Sequence, residues 1–250
     1  MHPMKIRIDT HTHSVASGHA YSTIDELARA AKKRGLYGFV LTDHGPGLPG
    51  GTHAYHFGNL RVIPDLIHGV RFYRGVEANI MSLQGDIDLA PYLLARLDFV
   101  MAGFHEICFE PSDRAANTKA MIATLANPLV DAISHPGNPS FPIDLRAVAE
   151  AAAAHGKALE INNSSFRIRK GSDSNCKSIA AYCVEFGTRI VCGSDAHYAP
   201  DVGRFDSART LLKEVGVPRE LVVNADESSF QIFVAERRKV REEEAAKLKD

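Results

Sequence analysis

The chain has no tryptophan and only four cysteines, Cys108, Cys176, Cys183 and Cys192, with no C-x-x-C pair among them. That spacing excludes a disulfide frame and a cysteine-built zinc module, and it reads as free thiols in a reducing cytosol. No apolar run approaches the ~20 residues of a membrane span. Met1-His2-Pro3-Met4 leads straight into a strand pattern, with no signal peptide. The formal net charge is −1, so no global basic field draws nucleic acid. No G-x-G-x-x-G or G-x-x-x-x-G-K-[ST] pattern is present to cradle a nucleotide. Linkers and low-complexity segments are also lacking. The 250 residues, 45% hydrophobic and 24% charged, are expected to form one soluble domain over 1–250.

Histidine is plentiful, with 12 residues. Two of them open the argument, in Asp9-Thr10-His11-Thr12-His13 after the alternating Lys5-Ile6-Arg7-Ile8. Side chains on an extended backbone repeat every second residue, so His11 and His13 project to one side. A capping box, Thr23 with Glu26, then starts a helix. Tyr37 to Leu41 reads as a buried strand ending in Thr42-Asp43-His44. The Gly/Pro-rich stretch 45–51, with His53 and His56, reads as a mobile loop or an ordinary turn. A helix is expected over Leu60 to Ile67. Strands are expected at Val70 to Tyr73 (leading to Glu77), Phe99 to Ala102, Val130 to Ser134, Ala158 to Ile161 and Arg189 to Cys192, with a last short one at Leu221 to Asn224. Helices fall between them at Pro91 to Leu94, Arg114 to Leu125, Leu145 to Ala154, Lys177 to Phe186 and Ala208 to Val215. Phe230 onward is helical, and its charged end, 236–250, is expected to be solvated. About seven β/α repeats predict a parallel α/β barrel, with a doubly wound open sheet as the alternative.

The ligand-type residues lie at or beyond the carboxyl ends of expected strands: His11 and His13, His44, Glu77, His105, His135, then Asp195 with His197, while His19 comes from the first loop. In a β/α barrel these ends converge on one face. Crowded imidazoles and carboxylates are costly there without cations. Nine donors, one of them a bridging carboxylate, match roughly three ions at three protein ligands each. Mostly imidazole donors favour zinc, iron or manganese over calcium or magnesium. Asp9 and Asp43 adjoin ligand positions, where they would accept from imidazoles or be turned away by strand alternation. Cys192 is a minor further candidate.

The set His11-Thr12-His13, Asp43-His44, Glu77, His105, His135 and Asp195-Ala196-His197 resembles the motifs of the PHP (polymerase and histidinol phosphatase) superfamily, and most closely its stand-alone YcdX-type phosphatases. The resemblance covers nearly the whole chain and departs at no ligand. It implies a distorted (β/α)7 barrel with a trinuclear, usually zinc, centre. By position, His11, His13, Glu77 and Asp195 would hold one ion. Glu77 would bridge to a second with His105 and His135, and His19, His44 and His197 would hold the third. The implied activity is phosphomonoester hydrolysis by a metal-bridging hydroxide, with Glu77 as the bridge and no protein nucleophile. Ser164, Ser165, Arg167 and Lys170 are the candidate phosphate contacts.

The expected partner is a small phosphate ester, and the expected location the cytoplasm; assembly into a homo-oligomer stays open. The alternatives are a phosphodiesterase or nuclease of the same superfamily and a non-catalytic metal-binding scaffold. Amidohydrolases also begin with H-x-H on a barrel, without a need for His19, His44 and a late D-x-H together.

Overall fold

The computed structural model describes residues 4–247. In chain order its strands and α-helices are β1 (Ile8–Thr12), α1 (Ile24–Lys33), β2 (Gly38–Leu41), α2 (Ala54–Asn59), β3 (Leu66–Ile67), β4 (Val70–Asn79), α3 (Pro91–Leu94), β5 (Phe99–Gly103) and α4 (Arg114–Ala126). There follow β6 (Ala132–Ile133), α5 (Leu145–Ala154), β7 (Ala158–Asn162), α6 (Ser165–Ile168), α7 (Ser172–Phe186), β8 (Arg189–Gly193), α8 (Asp206–Val215) and α9 (Glu227–Lys247). Seven parallel strands run in the order β1-β2-β4-β5-β6-β7-β8, and β3 adds an antiparallel flap to β4. The result is a distorted, nearly closed α/β barrel, as the alternating pattern predicts. No helix among the described residues is long and apolar enough to cross a membrane.

Strand alternation builds the inside of the barrel. Ile8, Val40, Tyr73, Phe99, Met101, Ala132, Ala158 and Val191 form an inner apolar layer. Two and four residues further along the same faces stand Gly75 and Glu77, Gly103 and His105, Glu160 and Asn162, Gly193 and Asp195. The interior therefore passes from an apolar floor to a polar rim at the carboxyl ends. Intervening residues such as Phe39, Phe72, Val100 and Ile161 face outward into the larger core shared with the helices.

The barrel closes without a regular ladder between β1 and β8 among the described residues. Asn224 fills the gap. Its Nδ2 donates to Ile8 O at 2.8 Å and to Cys192 O at 2.7 Å, and its Oδ1 accepts from Cys192 N at 3.0 Å. The stretch expected as a last short strand is thus a pair of 3₁₀ turns, Arg219–Leu221 and Val223–Ala225. The Asn224 side chain, with Thr10 Oγ1 donating to Cys192 O at 3.0 Å, stands in for backbone pairing below the rim.

Two further expectations are corrected. The helix expected over Leu60 to Ile67 is instead a 3₁₀ turn at Leu60–Val62 followed by β3, with α2 ending just before it. Pro64 offers no backbone donor and holds Ile63 in extended geometry (φ −80°, ψ 129°). The charged end of α9 is not simply solvated, for Arg237 and Arg241 are buried. Residues 248–250 of that expected helix lie outside the described residues. Phe230 and Phe233 of α9 cap the inner apolar layer, so this helix seals the floor of the barrel.

The Gly/Pro-rich loop is tied to its surroundings. Gly45 N donates to Glu77 O at 2.9 Å, and Gly47 N to Asp88 Oδ2 at 2.7 Å. A Cβ at Gly45 would overlap the Asp88 carboxylate, so glycine is what permits this approach.

Candidate metal centre

Glu77, 1% exposed at the end of β4, is the hub of the rim. Its Oε2 lies 3.2 Å from His11 Nε2, 3.5 Å from His13 Nε2 and 3.1 Å from His44 Nδ1. Its Oε1 lies 2.7 Å from His135 Nε2 and 3.4 Å from His105 Nε2. Asp195 Oδ1 faces the same cluster, 3.5 Å from His11 Nε2 and 3.4 Å from His13 Nε2. His197 Nε2 and His19 Nε2 meet at 3.1 Å beside it. All nine sequence-predicted ligand residues therefore reach one rim. Three compact donor groups are able to hold a cation: His11–His13–Asp195, His13–His44–His197 and His44–Glu77–His105.

The outer hydrogen bonds decide which nitrogens face inward. His11 Nδ1 lies 2.8 Å from Glu160 Oε1. His13 Nδ1 lies 3.1 Å from Ser17 Oγ, whose proton goes to Asp43 Oδ1 at 2.7 Å. His19 Nδ1 meets Ser17 O at 3.0 Å, and His197 Nδ1 meets Asp195 O at 3.1 Å. Each outer nitrogen faces an acceptor and so carries the proton, which leaves the Nε2 lone pairs pointing inward. Yet His11 Nε2 and His13 Nε2 are 3.0 Å apart. Two facing lone pairs repel unless something positive lies between them. His44 Nδ1 and Glu77 Oε2 are both buried without a hydrogen-bond partner. This convergence of unpaired donor atoms fits divalent cations.

Ionisation of these groups other than His11 points the same way. Burial pushes the His13 imidazole down to about 4, and burial likewise holds His44 well below its ordinary range. Burial raises the Glu77 and Asp195 carboxyls, but the surrounding histidines, with Arg169 beside Asp195, more than reverse this and hold both well below the usual range. For His11, burial works against the proton, while Glu160, Glu77 and Asp195 outweigh it and raise the imidazole well above normal. The same carboxylates favour any cation at that point. Neutral imidazoles and ionised carboxylates are the ligating forms.

Four groups around the rim carry no motif, and all but the half-buried Arg169 are buried. Glu160 receives His11 on one oxygen and, on the other, His135 N at 2.8 Å and Asn162 Nδ2 at 3.1 Å. Asn162 Nδ2 also reaches Asp195 Oδ2 at 3.2 Å. Arg169 lays its guanidinium on Asp195 Oδ2 at 3.3 Å and on Ser165 Oγ at 3.1 Å. Ser17 links His13 to Asp43. The signal for Glu160 is visible in the sequence, since a charge within an otherwise apolar strand needs a partner.

The candidates flanking the ligands part company. Asp43 acts on His13 through Ser17, and it also takes His56 Nε2 at 3.1 Å. Asp9 is turned to the backbone, accepting from Ser194 N at 2.9 Å and Gly203 N at 2.8 Å. Ser164 donates to Ser194 O at 2.9 Å. Arg167 is exposed and pairs with Asp201 at 3.5 Å, and Lys170 is exposed. Arg169, between them, is the cation that the local helix turns onto the rim. Cys192 faces the outer core, away from the donors. His135 and Asp195 have positive φ, 32° and 56°, a strained backbone of the kind that gathers at functional sites.

The PHP domain family model matches residues 9–164. Among curated proteins, the chain is 52% identical over 231 residues to a probable phosphatase of Acetivibrio thermocellus, covering 92% of this chain and 96% of that one. It is 48% identical over 246 residues to a probable phosphatase of Photobacterium profundum, covering 98% and 100%. Among solved structures, a histidinol phosphate phosphatase of Lactococcus lactis, complexed with zinc, L-histidinol and phosphate, superposes with a TM-score of 0.61 at 19% identity, covering 85% of this chain and 95% of that one. That likeness concerns the fold.

Proposed function

The chain belongs to the PHP domain family, and we propose that it is a metal-dependent phosphatase of small phosphomonoesters. The observation that carries this reading is the convergence on Glu77 of nitrogens from His11, His13, His44, His105 and His135, with the outer nitrogens of His11 and His13 already committed. In this reading His11, His13 and Asp195 hold one divalent ion, with Glu77 bridging to a second held by His105 and His135. His19, His44 and His197 hold a third. Zinc fits the imidazole-rich set best, with manganese and iron as alternatives. Bound divalent ions supply Lewis acidity toward phosphoryl oxygens and lower the pKa of water to ~7.

The side chains do the rest. Glu77 stays ionised at the hub and counters the charge of the ions it joins. Glu160 and the Ser17–Asp43 pair keep the outer protons on His11 and His13, so their inner nitrogens remain available. Arg169 offers N–H donors beside Asp195 to an incoming phosphate. The rim presents no cysteine, and Ser17, Ser164 and Ser165 are all engaged in hydrogen bonds. This fits a reaction without a protein nucleophile.

Elemental analysis of protein purified without added metal tests the ion count, with about three transition ions per chain expected from the donors present. One ion or none overturns the trinuclear reading. Hydrolysis of p-nitrophenyl phosphate beside bis-p-nitrophenyl phosphate tests the reaction class. Preference for the diester turns the assignment to a phosphodiesterase, and silence on both with metal bound turns it to a scaffold.

A further inference from the structure

We propose that Glu160 is a positioning residue that sets how tightly the rim holds its cations. This rests on the metal-dependent reading above. Glu160 is fully buried in β7, and its only ion-pair partner among the described residues is His11, at 2.8 Å. A buried carboxylate without a permanent cation beside it is expensive. The fold nevertheless makes room for it. Gly193, two residues beyond its β8 partner Val191, leaves the space open, for a Cβ there would overlap both Glu160 Oε1 and His11 Cβ.

The two oxygens serve different ligand groups. Oε1 takes the outer nitrogen of His11, fixing the ring and its tautomer so that Nε2 faces Glu77 and Asp195. Oε2 takes the backbone N–H of His135, a residue held at φ 32°. That bond steadies a strained backbone whose imidazole lies on the other oxygen of Glu77. Through Asn162, the same Oε2 is connected to Asp195. One carboxylate therefore orients ligands on both sides of the Glu77 bridge. A carboxylate on the far nitrogen of a ligating imidazole also makes the near nitrogen a better donor.

Titration of the metal-stripped full chain with Co²⁺, followed by visible absorption, tests the proposal. Glu160→Gln keeps the shape and removes the charge. It is expected to weaken at least one ion by about 10–100-fold and to change the Co²⁺ band, while the melting temperature of the metal-free protein holds or rises. Glu160→Asp keeps the charge but draws it back from His11, and it must show a loss of the same kind; it serves alone if the glutamine variant does not fold. Wild-type affinity in both variants overturns the proposal. So does a loss of affinity matched by a fall in metal-free melting temperature, which would make Glu160 a prop of the fold. A wild-type chain that takes up no Co²⁺ overturns the metal-dependent reading itself, whereas uptake by wild type and variants alike overturns only the role of Glu160.

Discussion

Arg241 of α9 places its guanidinium on the carboxylate of Asp131, just before β6, and neither side chain is exposed to solvent. The same guanidinium donates to Leu97 O at 2.7 Å and Asp98 O at 3.1 Å, and Arg237 adds a second contact to Asp131 at 3.2 Å. The helix that seals the floor is thus pinned by buried charge as well as by Phe230 and Phe233. Removing one partner of such a pair strands the other. Arg241→Ala is expected to lower stability by roughly 3–5 kcal/mol, read as a fall in the urea midpoint. A change below 1 kcal/mol, on the order of a surface ion pair, would contradict it.

Lys157 lies in the same region, with Nζ donating to Asn127 O at 2.9 Å and also to Val130 O. Burial pushes its ammonium from 10.5 down to about 7. Between those values the unfolded chain binds more protons than the folded one, so this group makes stability rise with pH. The slope is at most ~1.4 kcal/mol per pH unit, and below about pH 7 the cost of burial is present in full. Lys157→Met is expected to flatten the stability profile from about pH 7 to 10.5. Urea midpoints across that window check it, and parallel curves for the two proteins would refute it.

Asn224→Ala removes three hydrogen bonds at the β1–β8 seam and leaves the buried Cys192 N–H without its acceptor, while Cys192 O keeps Thr10 Oγ1 at 3.0 Å. A loss of at least about 2 kcal/mol is expected, together with faster amide exchange at Cys192. Unchanged exchange there would show that the seam closes by other means.

Glu77→Gln keeps the size of the hub and removes its charge. Metal content is expected to fall, and phosphomonoesterase activity to drop by roughly 10²-fold or more, since loss of an ion removes several kcal/mol of charge stabilisation. Near-ultraviolet circular dichroism monitors the fold. Full activity in the variant would exclude Glu77 as the bridge.

Arg169→Ala is expected to lower kcat/KM for a phosphomonoester by about 10–100-fold, the scale of hydrogen bonds to a charged group. Arg167→Ala, at an exposed ion pair, is expected to stay within about threefold of wild type. The reverse order would place the phosphate on the outer side of α6.

Much of this architecture was legible in the chain because strand alternation and strand-end donors are local patterns. His11, His44, Glu77, His105, His135 and Asp195 each follow an apolar run, and the barrel brings those ends together. What escaped was set by contacts between distant segments. Asn224 looks like a strand residue until the missing ladder between β1 and β8 is seen. Arg237 and Arg241 look like members of a solvated charged helix because Asp131, more than a hundred positions earlier, shows no sign of facing the floor. Arg169 differs from Arg167 and Lys170 only in the turn on which α6 places it.

The seam has one further consequence. His11 and His13 stand on one lip of it, and Asp195 and His197 on the other, joined by Asp195 N to His11 O at 2.9 Å and His13 N to Ala196 O at 2.9 Å. A cation shared by these residues would fasten the first stave of the barrel to the last, above the point where Asn224 holds them below. Breathing of that joint would then govern how long the ion stays, and stripping the ion would loosen the whole ring at one place rather than evenly around it.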